Sequence, residues 1–225
     1  HIINENGEQV PLDMARLEIV ITEATRGLKG VTKERVLQDL RRNLFDGMSV
    51  NDVNTSLVMA ARGLIEKDPN YSFVTARLLL DGIRREALSF IFAETVEATQ
   101  KDMQERYPDY FKKYVQRGID LDLLDGELGR FDLDKLAAAL KPERDKRFTY
   151  LGLQTLYDRY FIHVGKTRIE LPQAFFMRVS MGLAINEVDR EERAIEFYDL
   201  LSSFDFMSST PTLFNSGTLR PQLSS

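Results

Sequence analysis

The chain contains no cysteine and no tryptophan, and its only imidazoles are His1 and His163. Without cysteine there is no disulfide framework, no thiolate zinc site and no thiol or thiyl chemistry within these 225 residues. Two histidines so far apart in sequence do not make a His-rich metal site. No apolar run approaches the roughly 20 residues that a membrane-spanning helix requires. The opening stretch, HIINENGEQ, also lacks the apolar core of a signal peptide. The imbalance of charge is small: 30 basic residues against 35 acidic ones give a formal net charge of -5. Lysines and arginines are interspersed with acids rather than gathered, which is not the footprint of a nucleic-acid surface. These absences lead us to expect a cytoplasmic chain with no membrane and no nucleic acid among its partners. The first residue is His rather than Met, which reads as a processed chain or an excerpt.

What is present suits a packed core, with 43% hydrophobic and 29% charged residues. The pattern predicts a mainly α, α+β fold in three stretches. The first, 1–95, opens with two short β-prone pieces, Ile2-Ile3 and Gln9 to Leu12, around Asn4-Glu5-Asn6-Gly7. Asn-Gly in that setting is a hairpin signal, because both residues tolerate positive φ. Four helices follow. Asp13 caps one carrying Leu17, Val20, Ile21, Ala24 and Leu28, with Gly30 as its stop. Thr32 opens a second through Leu44, ending near Gly47. Ser49 caps a third, which Asp68-Pro69 stops, and the fourth begins near Tyr71. The second stretch, 96–145, reads as a polar, broken helical connector punctuated by Pro108, Gly118, Gly126, Gly129 and Pro142, with a short helix capped by Asp132. The third, 146–225, has an apolar helix around Leu153, a strand pair turning at Gly165-Lys166, a helix opening at Pro172, and another from Glu191 to Leu201. Its last twenty or so residues interleave hydroxyls, Gly and Pro with aromatics, which predicts a loop held close to something else.

No single motif is catalytic on residue chemistry alone. Asp120, Asp122 and Asp125 lack the Gly and terminal Glu of a calcium loop and read as a solvated turn. His163 reads as structural, and Asp189-Arg190-Glu191-Glu192-Arg193 as a solvated helix start. Two readings stand for the hydroxyl-rich tail. Exposed hydroxyls and backbone N–H groups around Gly217 can hold phosphate oxygens, or the tail is a buried turn capped by its own side chains.

The stretch Thr210-Pro211-Thr212-Leu213-Phe214-Asn215-Ser216-Gly217-Thr218, continued by Arg220 to Ser225, resembles class I ribonucleotide reductase large, catalytic subunits just before their first redox-active cysteine. Phe148 to Ile162 and Leu171 to Asp205 resemble that family's helical segment ahead of its α/β barrel, and the first stretch resembles its N-terminal regulatory module, the ATP-cone. The likeness implies a β-hairpin plus four-helix cone at 1–95, a connector at 96–145, and the entrance to the barrel at 146–225. It implies a parent that reduces ribonucleoside diphosphates to their 2′-deoxy forms, for DNA precursor synthesis, by thiyl-radical chemistry. The partners implied are those diphosphate substrates, a small radical-generating subunit and further large subunits. No cofactor or metal is implied for these residues themselves, the radical and metal centre belonging to the small subunit. Thr210 and Ser225 match the family's substrate-binding hydroxyl residues, and a cysteine is expected after the residue matching Ser225. No catalytic residue of the family falls within the chain. The alternative is a stand-alone nucleotide-sensing or oligomerisation module.

The cone departs from its pattern. Where the family has Val-x-Lys-Arg-Asp-Gly, this chain has Ile2-Ile3-Asn4-Glu5-Asn6-Gly7, so an acid stands where phosphates are gripped. The family's Thr and His of the third helix are matched by Val50 and Asn54. Arg16 and Arg85 retain positive charge at positions where the family uses Lys, and they are the residues left for an allosteric nucleotide. The resemblance therefore implies a degenerate cone.

Overall fold

The computed structural model describes residues 1–220, 222 and 223. The chain packs as two compact units, His1–Gly82 with Lys146–Thr155, and Ile83–Asp145 with Leu156–Ser225. Both are mainly helical, with two small sheets.

The first unit opens with β1 (Ile2–Ile3) and β2 (Gln9–Val10), paired antiparallel. Gly7 sits at φ +80 in the turn between them, a conformation that glycine adopts without Cβ strain. A third strand, β3 (Met48–Ser49), pairs parallel with β1 and completes the sheet order β2-β1-β3. It was not expected, because two residues are too few to show an alternation of period two. Four helices follow the hairpin: α1 (Met14–Thr25), α2 (Lys33–Asn43), α3 (Val50–Arg62) and α4 (Tyr71–Phe92), the last continuing into the second unit. The predicted caps are in place. Asp13 accepts the Arg16 N–H, and Ser49 and Asp52 form a reciprocal capping box. Leu17, Val20 and Ile21 of α1, Val36 and Leu40 of α2, and Leu57 and Ala61 of α3 meet in one core.

Helix α1 ends at Thr25, five residues before the expected stop at Gly30. Arg77 of α4 donates to the carbonyls of Ala24 and Arg26 at 3.2 and 3.1 Å, satisfying the freed end, and Gly27 at φ +77 turns the chain away. Gly30 has a different task. A Cβ there would lie 2.0 Å from the Asp68 carboxylate, so the glycine lets that loop close.

The second unit corrects the reading of 96–145 as polar and broken. Residues Met103–Asp120 form one 18-residue helix, α5, straight through Pro108. Tyr107, Tyr110, Phe111 and Tyr114 lie on one face and are fully buried. Proline inside a helix costs about 3 kcal/mol, and each buried aromatic contributes about 1.5–3 kcal/mol. Four of them outweigh one lost hydrogen bond. Gly118 does not break the helix either: its missing Cβ makes room for Leu124, whose Cγ would otherwise lie 2.6 Å away. Asp132 caps α6 (Leu133–Ala139) as expected. Asp120 and Asp125 accept from Gln116 and from the Glu127 N–H, so each closes local structure. Helix α7 (Tyr150–Thr155) belongs to the first unit and runs into a π-turn, Leu156–Tyr160. The strands β4 (His163–Val164) and β5 (Thr167–Arg168) pair antiparallel around Gly165. His163 is exposed, its Nδ1 2.9 Å from the Gly165 carbonyl.

Helix α8 (Pro172–Ala184) is buried along nearly its whole length and packs on α9 (Arg190–Ser202). The charged start of α9 is more than a solvated face. Arg190 lies 4.6 Å from the Phe131 ring centroid, and Glu191 accepts the Asp132 N–H at 3.0 Å, tying α9 to the start of α6. The tail also differs from the expected loop. Thr210–Asn215 form a short helix, α10, with Pro211 in its first turn. Among the described residues no helix is long and apolar enough to cross a membrane.

Candidate functional site

The hairpin turn of the first unit holds the residues matched to the nucleotide grip, and it satisfies itself. Asn4 Oδ1 accepts the backbone N–H groups of Asn6 and Glu8 at 3.0 and 2.8 Å, and its Nδ2 donates to Glu8 at 2.9 Å. The Asn4 N–H reaches the Glu8 carbonyl and the Gly7 N–H reaches the Asn4 carbonyl. Four backbone donors are thus engaged within the turn, and the exposed Glu5 adds a negative charge. Asn4, expected to stand where the cone pattern has lysine, serves as a turn-closing side chain. Val50 and Asn54, both half-buried, lie in the first turns of α3.

Arg16 and Arg85 fall in different units, each against a carboxylate. Arg16 makes two hydrogen bonds of 3.0 Å to the two oxygens of Asp81 within the first unit. Asp81 is nearly buried, so this planar, bidentate pair is a structural tie whose positive charge is largely matched. Arg85, on the second-unit half of α4, pairs with Glu97.

The hydroxyl-rich segment of the second unit contains Thr210, at the first position of α10 and exposed, while Ser225 lies outside the described residues. The Thr210 hydroxyl is 3.3 Å from that of Tyr160, and the Tyr160 ring stacks on Phe214 at 4.7 Å. At the end of α10 the segment is fixed to α8. Arg178 donates to the carbonyls of Leu213 and Ser216 at 3.2 and 2.8 Å, and the Ser216 hydroxyl donates to the Val179 carbonyl at 2.6 Å. Gly182 has no room for a Cβ, which would come within 2.1 Å of the Gly217 nitrogen. Gly217, at φ +77, gives its carbonyl to the Asp125 N–H at 2.9 Å, and Thr218 bridges to Leu124. Of the two readings of the tail, burial fits Ser216 and Gly217, but they are held by Arg178, Val179 and Asp125 rather than by the tail's own side chains, while Thr210 is exposed.

Sequence reasoning passed over what lies beneath. Arg178 and Glu170 are both fully buried, and the guanidinium Nε and a terminal nitrogen contact the two carboxylate oxygens at 2.8 and 3.0 Å. Glu170 also accepts the Ile162 N–H at 2.7 Å and the Tyr114 hydroxyl. Burial alone pushes the Arg178 guanidinium down, but the facing carboxylate more than offsets this, so it is held above its ordinary value. Burial, reinforced by Glu170, raises the Tyr114 hydroxyl well above its usual range and keeps it a donor. A second cluster sits alongside. Asp145 accepts from Tyr107 and Gln173 at 2.7 Å each, and Tyr198 donates to Gln173 at 2.6 Å. A lone Arg among Phe175, Phe176, Met177, Val179 and Met181, with a lone Glu between Ile169 and Leu171, was the available signal, since isolated charges in apolar runs are buried only when paired.

Residues 1–86 match the family model of the ATP cone domain, and residues 146–221 match that of the ribonucleotide reductase all-alpha domain. The whole chain is 41% identical to the ribonucleoside-diphosphate reductase subunit alpha of Chlamydia trachomatis and 35% identical to that of Helicobacter pylori, covering 21% and 27% of those proteins. It is 30% identical to the large subunit from Plasmodium falciparum, again over its full length and 27% of that protein. The chain therefore spans between about a fifth and about a quarter of these relatives.

Proposed function

The chain belongs to the family of ribonucleoside-diphosphate reductase large subunits, and on that premise we propose that it is the regulatory cone and barrel-approach portion of such an enzyme. The complete cytoplasmic protein reduces ribonucleoside diphosphates to the 2′-deoxy forms, using cysteines outside these 225 residues and a radical supplied by a small partner subunit. Large subunits associate with one another in that assembly. Thr210 contributes a hydroxyl to the diphosphate, together with Ser225. The cone at 1–86 is a weak nucleotide binder. Arg16 and Arg85, each already facing a carboxylate, give an allosteric phosphate little net charge.

The observation that carries this reading is the pairing of two matches on one chain, a cone at one end and a reductase-specific helical domain at the other. A stand-alone sensor has no use for the second. The test is conversion of CDP to dCDP by the complete protein with its small subunit. Conversion that falls on Thr210→Ala, through a higher KM, supports the reading. A complete protein that converts no ribonucleoside diphosphate with a competent small subunit overturns it.

A further inference from the structure

The exposed Thr210 opens α10, and the buried Arg178 holds its other end. Nothing about Arg178 suggests contact with a ligand: it is fully buried, and its donors reach Glu170, the Leu213 carbonyl and the Ser216 carbonyl. Those two carbonyls come from the last turn of α10 and the residue just after it. A six-residue helix has too few internal hydrogen bonds to hold its own orientation. Its orientation is instead set by what grips its end.

That grip is built to be rigid. The guanidinium is planar and fixed on one edge by the Glu170 carboxylate, which is itself fixed by Ile162 and Tyr114. Its remaining face presents donors in a set geometry to two backbone carbonyls. A lysine offers one nitrogen on a flexible stem and cannot hold Glu170 and both carbonyls with the same geometry. Beside that grip, Gly182 and Gly217 allow the backbones to approach so closely that a Cβ at either would overlap backbone atoms.

We propose that the buried Glu170–Arg178 pair is a positioning device that sets α10 so that the Thr210 hydroxyl meets a substrate phosphate. Arg178 is a positioning residue that acts through α10 and never touches the ligand. This rests on the reading of Thr210 as a diphosphate contact and adds the residues that aim it.

The test uses the complete reductase with its small subunit and CDP as the varied substrate. Thr210→Ala in the native background raises KM by about tenfold, the effect of one hydrogen bond to a charged group. Arg178→Lys raises KM by a similar factor, and adding Thr210→Ala to it raises KM by less than about twofold more, because a misaimed hydroxyl has little left to lose. Gly182→Ala, whose Cβ meets the Gly217 nitrogen and Ser216 and no atom of the buried pair, pushes the segment off α8 and gives the same KM rise and the same loss of additivity. A merely structural role for Arg178 lowers the amount of active enzyme and leaves KM unchanged; that result overturns the proposal, as does a double variant whose effects multiply to about a hundredfold. If Thr210→Ala alone leaves KM unchanged, the substrate reading of Thr210 itself has failed and the positioning role falls with it. An intact Thr210 effect with multiplicative doubles sinks the positioning role alone.

Discussion

Asp145 is the buried group whose removal has the clearest signature. Its carboxyl is fully enclosed in the second unit and accepts from Tyr107 and Gln173. Burial pushes its pKa from 3.8 up to about 6, and those two hydrogen bonds, with the nearby Arg84 charge, keep it from rising further. Because the folded value lies above the unfolded one, the folded state binds the proton more tightly. The contribution is most favourable below pH 4, declines as pH rises from about 4 to about 6, and is flat above that. The gap is worth about 3 kcal/mol between the two plateaus. Asp145→Asn carries no charge to desolvate, and its amide can still accept from Gln173 and donate to the Tyr107 oxygen. The stability difference between variant and native chain is therefore expected to be small at pH 4 and to grow in the variant's favour by about 2–3 kcal/mol by pH 7. Urea unfolding of both chains across pH 4 to 8 measures this directly. Taking the difference cancels every other group that titrates alike in the two. A difference that stays flat across that range, or that moves against the variant as pH rises, refutes the account of a carboxyl strained by burial.

Titrating the chain calorimetrically with dATP is expected to show binding near the millimolar range or none, since the hairpin donors are engaged and Glu5 opposes phosphate; a dissociation constant in the low micromolar range would overturn this. Arg16→Ala is expected to leave that titration unchanged and to cost about 2–3 kcal/mol in urea unfolding, because Asp81 is left buried without its bidentate partner. Gly182→Ala is expected to destabilise the second unit by about 1–3 kcal/mol, since a Cβ collides with the Gly217 backbone nitrogen rather than with a movable side-chain tip. Hydrogen exchange read at the amides of α10 and α8 locates that loss, and unchanged exchange there counts against the close approach.

What could be read from the sequence was local. Asp13, Ser49 and Asp132 announce helix starts because a short oxygen-bearing side chain before an apolar period has few other uses. Asn-Gly announced the hairpin, and Pro172 the start of α8. What escaped was set by distant residues. The parallel strand β3 exists because Met48 and Ser49 happen to pass Ile2 and Ile3, a pairing with no local trace. The end of α1 is fixed by Arg77, more than fifty positions away. Helix α5 differs from its sequence reading for another reason: Pro108 and Gly118 read as breakers, yet Tyr107, Tyr110, Phe111, Tyr114 and Val115 keep an unbroken helical period across them. Periodicity over eighteen residues is the stronger signal, since one proline removes one hydrogen bond and a buried face removes several aromatic rings from water.

The candidate site divides along the same line. Thr210, the proposed diphosphate contact, is marked in the sequence by its motif and is exposed in the fold. Arg178 and Glu170 answer only to each other and to two carbonyls of α10, contacts that span from eight to thirty-eight positions. Read singly, a charge in the middle of α8 is an anomaly; read as a pair, it is the reason a run of hydroxyls, glycine and proline forms a seated helix instead of a free loop. The tail's sequence has few apolar side chains of its own to bury, so its order draws on polar groups supplied by α8, where the buried, charge-matched Arg178 satisfies two carbonyls at the end of α10.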